Sequence, residues 1–83
     1  MIVRVQVIDV WDTVDLSVTQ DHTFADLKTT SLEQAMGRTV DPSGYTIKFR
    51  GALVTDERQT LGSADVPDGA PMIILPAHRQ PVR

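Results

Sequence analysis

The sequence predicts a single α+β domain in the order ββαββ(β): a β-hairpin, one helix, and then two or three short strands. Two patterns predict this order. Apolar residues alternate with polar ones near both ends of the chain, as in half-buried strands, whereas the segment after Thr23 has the 3.6-residue period of a helix. The 83 residues suffice for one modest core and exclude a second domain.

The first two strands are predicted at residues 1–7 and 13–18, where every second residue is apolar. The residues expected to face the core are Val3, Val5, Val7, Val14, Leu16 and Val18. The intervening "DVWD" is short enough to close a hairpin, with Trp11 in the turn.

A helix is predicted to begin after Thr23, because Asp26 follows three residues later in a capping-box pattern, and to end at Gly37. Phe24, Leu27, Ser31 and Ala35 share its core-facing side. The middle of the helix has weaker support. There Leu32 lies about 80° from the apolar stripe, and the neighbouring Thr and Ser residues are mediocre helix formers.

The remaining strands are predicted at residues 45–49, at the very short 52–54 and at 72–75. In the last, Met72 and Ile74 would face inward and Ile73 and Leu75 outward. Leu61 and Val66 would anchor the preceding loop, and Gly69 would supply a positive φ. Residues 1–76 thus form the predicted domain, and 77–83 a flexible tail.

Composition argues against several functions. The chain has no cysteine, which excludes disulfides and thiolate chemistry, and its net charge of −3 argues against a general nucleic-acid binder. No apolar run approaches the length of a membrane span, so we expect a cytoplasmic protein without membrane insertion. His22 and His78 lack neighbours at metal-ligand spacing, and the carboxylate pairs lie in polar turns. We therefore expect no metal, cofactor or catalytic activity.

Three segments, "TFADLK", "IKFRGALV" and "TLGSADVPDGAPMIIL", resemble ubiquitin in register. Thr23 matches the helix cap, Phe24 and Leu27 match its core positions, and Lys28 matches its semi-buried lysine. The resemblance covers residues 1 to about 75 and implies a β-grasp fold.

Two departures from ubiquitin bear on function. Ubiquitin and the ThiS-like and MoaD-like sulfur carriers end in Gly-Gly, whereas this chain has Gln80 and Pro81 near those positions. Pro81 and Val82 stiffen the terminus and make Arg83 a poor substrate for adenylation. In addition, Lys48 occupies the place of the isoleucine at the centre of the ubiquitin binding patch. An ammonium there disfavours the usual ubiquitin-binding helices.

Among non-conjugating relatives, the chain resembles most the small bacterial YukD/EsaB-type proteins encoded with type VII secretion systems, which also lack the glycine terminus. The resemblance implies a bacterial accessory or regulatory protein that acts by binding. Two alternatives remain open: a modifier or sulfur carrier activated at its C-terminus, and a small β-grasp subunit of a multicomponent monooxygenase.

We expect a monomer that binds another protein through residues on its surface. The candidates are Ile8, Trp11, Lys48, Arg50, Ile73 and Leu75. Trp11 is either an interface anchor or a cover for its own hairpin. Leu75 is either part of an apolar strip with Ile8 and Ile73 or covered by the tail. Lys48 and Arg50 either pair with an acidic partner or are merely solvated. The second strand is a predicted sheet edge, where a groove beside the helix can accept a peptide strand.

Overall fold

The computed structural model describes residues 1–77, so the tail prediction falls, apart from Ala77, outside the described residues. The strands are β1 (Ile2–Val7), β2 (Asp12–Ser17), β3 (Tyr45–Phe49), β4 (Ala52–Leu53) and β5 (Pro71–Pro76), and the helix is α1 (Phe24–Met36). Single 3₁₀ turns lie at Ile8–Val10 and Pro42–Gly44. The five strands form one mixed sheet in the order β2-β1-β5-β3-β4 with α1 packed on one face. This is the predicted α+β, β-grasp fold.

The core lies between α1 and the inner face of the sheet. β1 lies between β2, with which it pairs antiparallel, and the central strand β5, with which it pairs parallel, and the register sets Val5 beside both Val14 and Met72. β5 also pairs antiparallel with β3, which places Ile47 beside Ile74. Because alternate residues point to opposite faces, this register collects the predicted apolar residues on the inner face.

The helix begins and ends where the sequence predicts. The Thr23 hydroxyl accepts a hydrogen bond from the Asp26 amide at 3.1 Å, and the Asp26 carboxylate accepts one from the Thr23 amide at 3.2 Å. Gly37 ends the helix in the left-handed region with φ 68°, and its amide donates to the Glu33 carbonyl. These bonds provide partners for some of the amide and carbonyl groups that have no intrahelical partner at the two ends of the helix.

The expected weakness in the middle of the helix is absent from the structure, because α1 is continuous through Leu32. Leu32 is fully buried, and the hydroxyl of buried Ser31 donates to the Leu27 carbonyl at 2.7 Å. Burial of the leucine therefore outweighs the low helix propensity of its neighbours.

The long connection from β4 to β5 is bound to the start of the helix. The Ala25 amide donates to the Glu57 carbonyl at 2.8 Å, and the Leu61 amide donates to the His22 carbonyl at 2.8 Å. Leu61 and Val66 are buried as predicted, and Gly69 has φ 81°. These contacts fix a segment that has no regular secondary structure of its own.

A buried lysine joins three parts of the fold. The Lys28 ammonium lies 2.6 Å from the Glu57 carboxylate and donates to the Tyr45 carbonyl at 2.9 Å. Only 6% of the Lys28 side chain is exposed. A buried ammonium is tolerated because it has both a counterion and a hydrogen-bond acceptor. The same two contacts connect α1 to the β4–β5 connection and to β3.

Candidate protein-binding surface

The outer face of the sheet, which α1 does not cover, carries a row of side chains that crosses four strands. The register sets Gln6 of β1 beside Ile73 of β5, Ile73 beside Lys48 of β3, and Lys48 beside Leu53 of β4. Ile73 is 37% exposed and Leu53 is 50% exposed. We call Gln6, Ile73, Lys48 and Leu53 the cross-sheet row.

Lys48 lies between the two apolar members of this row. It is half-buried, so its methylene stem can lie along Ile73 and Leu53 while its ammonium reaches water. Within residues 1–77 no carboxylate lies within 4 Å of the Lys48 ammonium. The row therefore presents apolar area together with a positive charge that has no intramolecular counterion there.

Two other predicted contact residues extend the apolar area toward one end of the sheet. Leu75 lies beside Thr46 on the outer face and is half-buried. Ile8 is half-buried in the 3₁₀ turn just after β1, and this turn packs beside β5. The Ala77 amide donates a hydrogen bond to the Gly44 carbonyl at 2.8 Å, which holds the chain near Leu75 after the end of β5. Leu75 therefore contributes less accessible area than Ile73.

Arg50 does not join Lys48 in the row. It lies in the β3–β4 turn with φ 57°, followed by Gly51 with φ 75°, and consecutive positive φ values are what a two-residue type I′ turn requires. The Arg50 guanidinium lies 4.9 Å from the centroid of the Phe49 ring, and Phe49 packs against the core. This cation–π contact directs Arg50 away from Lys48.

Trp11 lies at the tip of the first hairpin, and 77% of its surface is exposed. It does not fold over its own hairpin, which was one of the two alternatives for this residue. The Tyr45 hydroxyl donates to the Asp9 carboxylate at 2.7 Å and so connects β3 to the same tip. This hydrogen bond, followed by burial, raises the pKa of Tyr45 above its usual value.

A groove of about 280 Å³ runs between the edge strand β2 and α1, as the topology predicted. Its lining includes the buried side chains of Leu16, Val18 and Leu27 and the exposed side chains of Asp15 and Asp26.

His22, which also lines this groove, is hydrogen-bonded to the backbone of its own turn. Its Nδ1 accepts a hydrogen bond from the Thr19 amide at 2.9 Å, which places the proton of a neutral ring on Nε2. No group of three potential metal ligands exists among the described residues. The histidine therefore contributes a hydrogen-bonding edge to the groove.

Two features of this surface are not among the residues and contacts predicted from the sequence. Leu53 joins the cross-sheet row because β4 pairs with β3 through the two-residue turn at "RG", a signal that the sequence does contain. The Asp9–Tyr45 hydrogen bond spans 36 residues of sequence, and no local pattern reports it.

Comparison with known proteins gives no family for the chain. No family model matches it, and a search of curated proteins also finds no match. In the part of the chain that the structure covers, no helix is long and apolar enough to cross a membrane. The fold alone places the chain in a class, that of the small β-grasp domains.

Proposed function

We propose that this chain is a non-catalytic, ubiquitin-like module that binds another protein through the outer face of its sheet. The observation that carries the proposal is the cross-sheet row. Scattered apolar residues are ordinary on a protein surface, but here Ile73 and Leu53 flank a lysine in one row across paired strands. Such a surface combines apolar area for affinity with a charge that selects the partner.

The charge on Lys48 favours a partner with a carboxylate opposite it. An apolar partner surface alone would bury the ammonium without a counterion, which is costly. This requirement distinguishes the proposed partner from helices that dock on a wholly apolar β-grasp face.

The proposed role is that of a cytosolic accessory or regulatory protein in a bacterium. The resemblance to YukD/EsaB-type proteins supports this role and suggests a type VII secretion system as its setting. Genomic neighbourhood offers a simple check, because secretion genes and oxygenase genes beside the coding sequence predict different partners.

The lack of conjugation is proposed from the identity of residues 80–82, which differ from Gly-Gly and lie outside the described residues. Proline fixes φ and valine is β-branched, so Pro81 and Val82 differ chemically from the two unbranched glycines of a carrier protein. Incubation with ATP and a cognate adenylating enzyme should give no acyl-adenylate at Arg83. Formation of that adduct would establish the carrier alternative.

Charge substitutions in the row test the binding surface. Tagged Ile73→Glu and Leu53→Glu variants, expressed in the native host, should each recover less than about a tenth of the partner retained by the wild type, since burying a carboxylate beside apolar groups is costly. Thr39→Glu, at an exposed loop position, is the matched control and should retain the partner. Circular dichroism would verify the fold of each variant. Undiminished recovery by both folded row variants would contradict the proposed surface.

A further inference from the structure

The hairpin tip, residues 9–12, presents the only tryptophan of the chain to solvent. Trp11 is 77% exposed, and the adjacent Val10 is also exposed. An indole carries a large apolar area, and its burial in a partner would remove that area from water. The tip lies beyond the end of β1, and its residues are not among the four of the cross-sheet row.

The backbone at Trp11 is poorly matched to a tryptophan. Its φ of 52° and ψ of 38° lie in the left-handed region, where its amide donates to the Ile8 carbonyl at 3.1 Å to close the 3₁₀ turn. A residue other than glycine is strained in this region, and asparagine or glycine would fit better. The indole contributes little packing in return. Its presence at a position that it destabilises points to a role outside the fold.

Hydrogen bonds hold the tip in place. The Asp9 carboxylate accepts from the Tyr45 hydroxyl at 2.7 Å, and the Asp12 carboxylate accepts from the Thr13 amide at 2.9 Å. The 3₁₀ turn also packs beside β5. A rigid aromatic side chain loses little conformational entropy on binding, which favours its use as an anchor.

The charges beside Trp11 indicate the chemistry of the partner. Asp9 and Asp12 are the first and last residues of the tip, and neither carboxylate has a cation within 4 Å among the residues that the structure describes. Arg38 lies near enough to Tyr45 to influence its titration, but it forms no salt bridge with Asp9 there. An acidic rim around an exposed indole complements an apolar pocket edged by basic side chains.

We propose that the hairpin tip is a second binding site, at which Trp11 inserts into an apolar pocket of a partner protein rimmed by lysine or arginine. Tyr45 is the positioning residue, because its bond to Asp9 holds the turn that presents the indole. The site extends the proposed function and does not depend on the cross-sheet row.

Site-specific photo-crosslinking in the native host tests this proposal. The photoreactive residue p-benzoylphenylalanine would replace Val10 at the tip, Leu53 in the row, or Thr39 as a control. The Val10 probe should crosslink to a partner within a concave apolar segment that contains at least two lysine or arginine residues. Trp11→Asn should lower that yield at least tenfold without lowering the thermal midpoint, because asparagine suits the left-handed backbone.

Each outcome discriminates. Crosslinks from Leu53 but none from Val10 would overturn the tip site and leave the proposed function standing, whereas no crosslinks from either position would contradict both. Val10 adducts that map to an acidic or flat polar surface, or Thr39 adducts of equal yield, would overturn the proposed pocket.

The crosslinked partner, once purified, allows a direct readout from the single tryptophan. Its emission should shift to the blue on binding, and acrylamide quenching should decrease. Asp12→Asn, which retains the acceptor for the Thr13 amide, should weaken binding about threefold at low salt and not at high salt, as expected for an exposed charge. Tyr45→Phe should lower the fluorescence anisotropy of Trp11 in the free protein and weaken binding. Unchanged emission on binding would refute the insertion of Trp11.

Discussion

Removal of the Glu57 carboxylate should destabilise this domain far more than an ordinary surface change. In Glu57→Ala the Lys28 ammonium would keep its bond to the Tyr45 carbonyl but lose the carboxylate that lies 2.6 Å away. The Lys28 side chain is 6% exposed, so its ammonium would be left largely buried without a counterion. The main-chain bond from the Ala25 amide to the Glu57 carbonyl does not depend on the substituted side chain.

The expected loss in the free energy of unfolding is about 3 kcal/mol. Breaking a buried ion pair costs about 3–5 kcal/mol, and the lower end applies because 25% of the Glu57 side chain is exposed. A domain of this size has a total stability of about 4–12 kcal/mol, so the loss is a large share of it. The thermal midpoint should fall by about 12–24 °C.

Lys28→Met offers an informative contrast. It removes the charge and leaves an apolar chain of similar length in the core, while the partly exposed Glu57 carboxylate can turn toward water. The remaining cost is the Tyr45 carbonyl without its donor, and because Tyr45 is half-buried the lower part of the range of about 1–3 kcal/mol applies. Lys28→Met should therefore cost less than Glu57→Ala, and the double variant should be more stable than the sum of the two losses predicts.

Urea unfolding followed by far-ultraviolet circular dichroism is the suitable assay. Tryptophan emission would report poorly, because Trp11 is already exposed in the folded protein. Glu33→Ala, at an exposed position on the same helix, is the control and should stay within about 0.5 kcal/mol of the wild type. A loss below about 1 kcal/mol in Glu57→Ala, or an equal loss in Lys28→Met, would refute the reasoning.

Two further predictions follow from local hydrogen bonds. Thr23→Ala should cost about 1 kcal/mol in unfolding free energy, because it removes the acceptor for the Asp26 amide. Thr23→Ser keeps that acceptor and should cost only a few tenths of a kcal/mol. Equal losses in the two variants would show that the cap is unimportant. In the second, Asp9→Asn should lower the raised pKa of Tyr45 toward 10.0, which absorbance at 295 nm can follow because the chain has one tyrosine. The stability that this bond contributes is present below the unfolded pKa of about 10 and is lost as the pH rises through the folded pKa. An unchanged titration would contradict the role of Asp9.

The sequence by itself determined the order of the strands and the helix along the chain and most of the residues that face the core. Alternation at Val3, Val5 and Val7 and the capping pattern of Thr23 and Asp26 are local signals, because strand and helix periods repeat within a few residues. The same local logic placed Ile73 and Leu75 on the outer face. The exposure of Trp11 was left open, because periodicity does not report whether a turn residue folds back.

Only the tertiary structure decided which side chains meet. The β3–β4 turn places Leu53 beside Lys48 and directs Arg50 toward Phe49 instead. Leu32 is buried by packing against the sheet, although its neighbours have low helix propensity. The Asp9–Tyr45 hydrogen bond and the Lys28–Glu57 pair join residues about 30 positions apart or more. Such contacts depend on strand order and register, which arise from the simultaneous packing of all elements and are not encoded in any short segment.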